Sequence, residues 1–330
     1  MRAVQLHKFG SADELFIGDI AIPERKKGEV LVKVRASALN RADLLQRQGK
    51  YPPPKGESDI LGLEMAGEVV DSDTDSTWRN GDKVMGLLAG GGQAEFVSIP
   101  EPLLMPIPKN LSFTEAAAIP EVFLTAYQTL FFEGRSKAGQ SALIHAGGSG
   151  VGTAAIQLAG LADIKTFVTC SAGKHKTCLE LGASMAIDYQ SEAFDQVVLE
   201  QTNFQGVDII LDFIGAPNLE GNIRSLATGG KLIMIALMGG HNANDINLIP
   251  ILHKHLTITG TTLRSRPLAY KAQLVKAFAD NYLHHFESDA IQPVVDSVFK
   301  LSDIAKAHRY MEANRNTGKI IIELGHAVSL

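Results

Sequence analysis

The stretch HAGGSGVGTAAIQLA, His145 to Ala159, places four glycines within six positions. The usual dinucleotide fingerprint runs glycine-x-glycine-x-x-glycine, whereas here Gly147 is followed by Gly150 and then Gly152. A lone glycine pattern says little; a strand before it and a helix after it give it meaning. Ser141 to Ala146 reads as that strand, and Gly150 to Leu161 as an amphipathic helix. Such a loop lets the backbone approach a pyrophosphate, and the helix start offers unpaired N–H groups and the positive end of a dipole. A strand-helix turn without a ligand uses the same residue types, so the flanking chain decides between the two.

Toward the C-terminus, strands and helices alternate. Thr166 to Cys170 reads as a strand and Lys174 to Leu181 as a helix; Val207 to Asp212 is the next strand, followed by a helix up to Gly229-Gly230. Lys231 to Leu237 and Leu256 to Thr261 read as further strands. This alternation predicts a parallel, doubly wound sheet, as a dinucleotide domain requires. Toward the N-terminus, strands dominate. Glu29 to Ser37 alternates apolar and polar residues with period two, and Gly67 to Val70, Lys83 to Leu88 and Ala94 to Ile99 are shorter candidates. Asn40 to Gln48 reads as a short polar helix, and Tyr51-Pro52-Pro53-Pro54 as a stiff extended loop. Pro120 to Gly134 opens on proline and closes on glycine, as a helix does. Beyond Pro267 come a long helix (Ala269 to His285), a strand, a helix (Ser302 to Ala313) and a final strand (Lys319 to Leu324). The expected fold is α/β: a β-rich domain over 1–122 and 266–330, interrupted by a doubly wound domain over 123–265.

Composition fits this reading. The chain has 330 residues, 45% apolar and 20% charged, as in an ordinary soluble globular protein. At roughly 100–200 residues per domain, that length predicts two domains. A net charge of −5 argues against a nucleic-acid partner, whose footprint is a basic patch. Two cysteines, Cys170 and Cys178, are too few for a disulfide framework or a four-cysteine zinc lobe. The start MRAVQLHKFG lacks the apolar core of a signal peptide, and no apolar run reaches the ~20 residues of a membrane span. A cytoplasmic protein without a membrane partner is the expectation.

The choice of cofactor is read about twenty residues beyond the glycine loop, where an NAD site carries a carboxylate for the ribose 2′-hydroxyl. Here the strand ends in Ser171-Ala172-Gly173-Lys174-His175-Lys176. A hydroxyl and cations favour a 2′-phosphate, and cations at a helix start otherwise oppose its dipole. NADPH is the expected cofactor.

At this point the residues resemble the medium-chain dehydrogenase/reductase superfamily, and within it the zinc-free quinone oxidoreductases, above all the animal branch induced by a tumour-suppressor transcription factor. The resemblance spans nearly the whole chain. It is carried by ASALNRADLLQRQGKYPPP (36–54), ILGLEMAGEV (60–69), GDKVMGL (81–87), GGGQAEFVSIP (90–100), AAAIPEVFLTAYQTL (116–130), the glycine loop and GKIIIEL (318–324). It implies a GroES-like β-barrel domain, an inserted Rossmann domain, and a nicotinamide in the cleft between them. Zinc alcohol dehydrogenases of the superfamily have a cysteine near position 40 and Gly-His-Glu near 62; this chain has Asn40 and Gly62-Leu63-Glu64, so the zinc ligand set is missing. His253, His255, His284 and His285 lack partner cysteines, and no metal is expected.

The resemblance also places residues. Asn40, Tyr51 and Thr125 lie near nicotinamide and substrate. Asn40 serves equally as a helix N-cap, Asp43 as a first-turn carboxylate, and Tyr51 as a buried loop anchor instead of a ring-stacking or proton-donating group. Glu64 is expected to be a buried structural carboxylate. Ala146, Gly147, Gly148, Ser149, Gly150, Val151 and Gly152 form the phosphate loop, where Ser149 binds phosphate or orients substrate. Ser171, Lys174 and Tyr189 form the 2′-phosphate pocket. Ile214 and Gly215 pass the ribose; Leu237, Met238 and Gly239 line the nicotinamide, although a methionine such as Met238 is more often core filler. Leu263, Arg264 and Ser265 complete the pocket. Asn40, Tyr51 and Ser149 are the catalytic candidates.

The implied activity is hydride transfer from NADPH to a quinone-like electrophile. A reductase of α,β-unsaturated carbonyls, with Tyr51 as proton donor, is the rival within enzymes; an NADPH-holding structural or RNA-binding protein is the rival of another class. The β-prone, nearly uncharged segment Leu256 to Thr262 is expected at a sheet edge, where it would pair with its copy in a homodimer.

Overall fold

The computed structural model describes residues 1–325; positions 326–330 of the expected C-terminal segment lie outside the described residues. The chain divides into two compact units. One comprises Met1–Leu124 and the return segment from Leu263 onward, the other Thr125–Thr262.

The first unit begins with β1 (Arg2–Leu6) paired antiparallel to β2 (Leu15–Asp19). Then follow β3 (Glu29–Leu39), α1 (Arg41–Arg47), β4 (Glu64–Asp71), β5 (Lys83–Leu87), β6 (Phe96–Pro100), β7 (Leu104–Pro106), α2 (Phe113–Ala116) and the start of α3 (Pro120–Tyr127), whose end from Thr125 belongs to the second unit. In the second unit β8 (Ser141–Ile144), α4 (Gly150–Leu161), β9 (Lys165–Cys170), α5 (His175–Glu180) and β10 (Met185–Asp188) come first. They are followed by α6 (Phe194–Gln201), β11 (Val207–Asp212), α7 (Leu219–Ser225), β12 (Leu226–Met234), α8 (Ile249–His253) and β13 (Thr257–Gly260). The return segment adds α9 (Leu268–Glu287), β14 (Val295–Lys300), α10 (Ile304–Glu312) and β15 (Lys319–Glu323).

The period-two pattern of β3 buries Val30, Val32, Val34 and Ala36 while Glu29, Leu31, Lys33 and Arg35 stay partly exposed; from Ala36 onward the strand is buried on both sides. The strand is long enough to serve two partners along one edge. Its first half pairs with β6 (Glu29–Lys33 against Phe96–Pro100), its end with β15 (Ala36–Leu39 against Ile320–Glu323). β4 takes the other edge, and the sheet runs β14-β15-β3-β4-β5-β7. The return segment is thus held in the first unit by backbone hydrogen bonds.

The second unit is a six-stranded parallel sheet in the order β10-β9-β8-β11-β12-β13. Counted from β8, this is 3-2-1-4-5-6, the order of two mononucleotide-binding halves, with its switch point between β8 and β11. Leu143, Phe167, Ile187, Val198, Val207, Ile210, Leu226 and Leu232 form its core. β13 stands at the sheet edge, as its composition predicts.

Among the boundaries that differ from the sequence reading, three have a visible cause. The helix expected up to Gly229-Gly230 ends at Ser225, because β12 already begins at Leu226, opposite Val207, and a register shift between Val207 and Ile209 takes up the two glycines. The strand expected to reach Leu237 ends at Met234: the Ile235 and Met238 N–H groups turn to the carbonyls of Asp212 and Phe213, folding the chain over the end of β11. The helix expected over Pro120–Gly134 is α-helical only to Tyr127; Gln128–Glu133 widens into a π-turn, closed by the Gly134 N–H on the Thr129 carbonyl at 3.0 Å.

Candidate functional site

In the second unit the glycine loop leaves β8 through Ala146, whose φ of 52° is the left-handed region that side chains disfavour. Close approach explains the glycines around it. A Cβ on Gly147 would stand 2.6 Å from the Val168 Cβ of β9, and one on Gly152 2.5 Å from the carbonyl oxygens of Ala146 and Gly147. Gly148 is bare for a different reason: the Lys174 side chain lies across it, its Cδ 2.6 Å from where a Cβ would be. Ser149 is the N-cap of α4, its Oγ accepting the Gly152 N–H at 3.0 Å. The hydroxyl expected to meet phosphate or substrate is therefore a helix cap as acceptor, and retains its own proton to donate. Gly150 and Val151 form the first turn of α4, where unpaired N–H groups collect.

The structure brings the 2′-phosphate candidates to one rim. β9 and β10 pair in parallel with Cys170 opposite Asp188, so Ser171 and Tyr189 leave the sheet side by side. The Lys174 N–H closes a turn onto the Ser171 carbonyl at 2.9 Å. Tyr189 is exposed. Asp188, a carboxylate near this rim that the sequence reading passed over, accepts from the Gln190 N–H and the Ser191 hydroxyl of its own turn.

Past the switch point, the loop after β11 and the loop after β12 run together. The Met238 and Gly239 N–H groups donate to the carbonyls of Phe213 and Ile214, and Gly215 bridges Gly240. Gly215 has φ 86°, and a Cβ there would meet the Gly240 carbonyl at 2.6 Å. Ile214, Gly215, Leu237, Met238 and Gly239 thus share one ridge. Leu237 and Met238 are half exposed on it, so Met238 is not core filler.

Sequence reading missed what holds these loops. His145, Thr169, Asp212 and Asn222 are buried beneath them. The His145 Nε2–H donates to Asn222 Oδ1 at 2.7 Å, and the Asn222 amide donates to Asp212 at 3.2 Å. Asp212 in turn accepts the N–H groups of Ile214 and Gly215. Burial holds His145 below the ordinary histidine range and keeps it neutral. The signal was present in the sequence: both His145 and Asp212 sit at the end of an apolar strand.

Cys170 and Cys178 are buried and unlinked, their sulfurs 3.8 Å apart. Thr125 is buried in α3, its carbonyl accepting from the Thr129 hydroxyl.

In the first unit a second group of candidates converges. Asn40 caps α1, and its backbone N–H donates to Asp43 at 2.7 Å. Its side chain does not cap: Nδ2 donates to Glu64 at 2.9 Å, and Oδ1 accepts from Lys319 at 2.7 Å. Glu64 is fully buried and bonded to the Lys319 ammonium at 2.7 Å, the structural carboxylate expected. Asp43, also buried, accepts the Gly62 N–H, and burial pushes it up to about 6. Arg264 is buried too; it donates to Ala89 O, Gln46 Oε1 and Tyr51 O, and its guanidinium lies 5.3 Å from the Tyr51 ring centre. Tyr51 is thereby anchored by backbone and ring while its phenol stays unbonded to Arg264. Leu263 is buried beside Arg264, and Ser265 is exposed.

Among the described residues, no three histidine, cysteine, aspartate or glutamate side chains come together as metal ligands. At Glu64 the cation is the Lys319 ammonium. The glycine loop fits a dinucleotide: its crowded glycines bring backbone to the start of α4, and Lys174 crosses the rim.

The Alcohol dehydrogenase GroES-like domain family matches residues 26–109, and the family described as Zinc-binding dehydrogenase matches 181–322. The chain is 30% identical to the human protein named Quinone oxidoreductase, over 98% of each. Among solved structures it is similar to a mycobacterial protein complexed with NADPH (TM-score 0.87, 26% identity, 98% of this chain and 100% of that one). It is likewise similar to an NAD-dependent alcohol dehydrogenase (TM-score 0.86, 30% identity, 98% of this chain and 100% of that one). The GroES-like and Rossmann folds expected from the sequence are both present. From its fold, its strand order and these likenesses, the chain belongs to the medium-chain dehydrogenase/reductase superfamily of pyridine-nucleotide oxidoreductases.

Proposed function

We propose that the chain is an NADPH-dependent, metal-independent reductase of quinone-like acceptors. Residues 123–265 hold the cofactor, and 1–122 with 266–330 supply the acceptor site. The observation that carries the cofactor reading is Lys174 lying across Gly148, beside Ser171 at the end of β9, where an NAD site would have a carboxylate. Ser171, Lys174 and Tyr189 take the 2′-phosphate; the loop from Ala146 to Gly152 takes the pyrophosphate; the ridge of Ile214, Gly215, Leu237, Met238 and Gly239 lies along ribose and nicotinamide.

Bound NADPH supplies a hydride. The protein's part is to orient the acceptor and exclude water, because a quinone is electrophile enough to need little acid–base help. Asn40 is fixed by Glu64 and Lys319, so its amide plane is set before any ligand arrives. Tyr51 offers a phenol held in a stiff loop, and burial raises it above the ordinary tyrosine range, which keeps the proton in place. That same proton supports the second reading, reduction of α,β-unsaturated carbonyls, which requires a donor at the α-carbon. The chain works as a cytoplasmic homodimer joined along β13; among the described residues no helix is long and apolar enough to cross a membrane.

Stopped-flow oxidation of NADPH and NADH against quinones and unsaturated ketones tests this. NADPH with quinones is expected to be the fastest pair, unchanged by zinc chelators. Equal rates with NADH sink the cofactor reading. Turnover of ketones alone favours the second reading, and no turnover with either acceptor favours a structural role.

A further inference from the structure

Two nucleophilic side chains of the second unit take no part in the reading above. Cys170 ends β9, Cys178 lies in α5, and they are the only cysteines of the chain. The Cys178 S–H donates to the Cys170 sulfur at 3.8 Å, so nothing stands between the two sulfurs. The segment that joins them, residues 171–177, carries Ser171 and Lys174 of the proposed 2′-phosphate rim. The two thiols are not alike. The Cys178 S–H first, and the Lys174 ammonium with it, hold the Cys170 thiol below the ordinary cysteine range, against burial and Asp188. The same bond to Cys170, together with burial, pushes the Cys178 thiol up, so Cys178 keeps its proton. One sulfur is suited to attack and the other to follow. Their cover is thin. Cys170 and Cys178 are only 2% and 0% exposed, yet Ala172, Gly173, Lys176, Leu179 and Glu180 around them are exposed. Neither Ser171, before the turn at 172–174, nor Lys174, before α5, caps its helix with a side chain, and α5 has six residues. An uncapped helix this short opens locally at low cost, which gives a small oxidant its path.

We propose that Cys170 and Cys178 are an oxidation site: a hydroperoxide converts the pair to an intrachain disulfide, which draws α5 toward β9 and moves Lys174 away from the 2′-phosphate. The effect on Lys174 rests on the NADPH reading above; the disulfide itself does not. In the first step the Cys170 sulfur attacks one peroxide oxygen. The O–O bond breaks, Cys170 becomes a sulfenic acid, and the second oxygen leaves as water with the proton given up by the thiol. In the second step the Cys178 sulfur attacks the Cys170 sulfur. The S–O bond breaks, the S–S bond forms, and the hydroxyl leaves as water with the Cys178 proton. Two thiols and one hydrogen peroxide thus give one disulfide and two waters, the sulfurs losing the two electrons that the peroxide gains. To bond, the sulfurs close from 3.8 Å to about 2.05 Å. β9 is held between β8 and β10 by its parallel ladders, so the movement falls on α5 and the segment before it. That segment includes Lys174, whose side chain lies across Gly148.

The test uses the full chain as wild type, Cys170→Ser and Cys178→Ser. Each is reduced, freed of reductant, treated with hydrogen peroxide while folded, and then unfolded in a thiol-alkylating reagent. Wild type is expected to lose both alkylatable thiols, to yield a peptide cross-linked between Cys170 and Cys178, and to recover both thiols with a dithiol reductant. In Cys178→Ser the reaction stops at a sulfenic acid on Cys170, which a cyclic dione traps; in Cys170→Ser the Cys178 thiol survives. Two thiols that survive peroxide in folded wild type overturn the site, and so does a disulfide found only between chains. Dissociation constants for NADPH and NADH are then compared in reduced and oxidised wild type. Oxidation is expected to weaken NADPH roughly tenfold, the size of one lost charge-assisted hydrogen bond, and NADH little. Cys170→Ser, treated alike, shows no such change, which sets methionine oxidation apart. A disulfide that leaves the NADPH-to-NADH ratio unchanged overturns the link to Lys174. Reduced wild type that binds the two cofactors equally overturns the NADPH reading instead, and the thiol count still reports the disulfide.

Discussion

The glycine loop of the second unit and the polar cluster of the first are built in opposite ways. Around the loop, the close approaches stay within one strand-helix-strand unit: Gly152 to Ala146, Gly147 to Val168, Gly148 to Lys174. One of these contacts is backbone on backbone, the other two set a bare glycine against the side chains of Val168 and Lys174, and a helix N-terminus supplies the polarity. In the cluster, Asn40, Glu64, Arg264 and Lys319 come from separate segments, with Lys319 bonded to Asn40 across 279 positions. There the contacts are side-chain charges, and each group's state depends on which others arrive. The loop is a surface prepared for a ligand's charge; the cluster already balances charges of its own.

That difference predicts how each region fails. The largest effect is expected from Lys319→Met. It leaves Glu64 buried without its cation, and removing one partner of a buried pair costs about 3–5 kcal/mol. Urea unfolding followed through Trp78, the single tryptophan and a residue of the first unit, reports it. A loss below about 1 kcal/mol would mean that the cluster is as tolerant as a surface pair. Adding Glu64→Gln should recover part of the loss.

Lys174→Ala comes next and separates the loop from the cluster. It should weaken NADPH by roughly 1.5–3 kcal/mol, about ten- to a hundredfold, and leave NADH nearly untouched. Dissociation constants for both cofactors decide the matter: equal losses would make the lysine a packing element across Gly148. Ser171→Asp should go further, since a carboxylate repels a phosphate and accepts from a ribose.

The smallest effect is expected from Ser149→Ala. Losing an N-cap costs about 1 kcal/mol. Because the cap serves the helix and not one phosphate, NADPH and NADH should suffer alike. A selective loss would show that the Ser149 hydroxyl touches the acceptor or one cofactor only.

The candidate residues divide along the same line. Ala146 to Gly152 and the parallel strands around them were legible because a glycine-rich turn between a strand and a helix is a local pattern. The end of β12 was not, since nothing in KLIMIAL announces that Ile235 will turn to the Asp212 carbonyl. Asn40 looked equally like a helix cap and a ligand group; the structure makes its backbone the cap and turns its side chain to Glu64 and Lys319.

By itself, the sequence determined the two-domain α/β fold, the glycine loop and the edge position of β13, because periodicity and turn chemistry act over a few residues. Only the tertiary structure decided which charges meet. The pairing of Glu64 with Lys319 and the hold of Arg264 on Tyr51 depend on burial and on partners far along the chain. Electrostatic energy in a low-dielectric interior is set by distance in space, which the order of residues does not record.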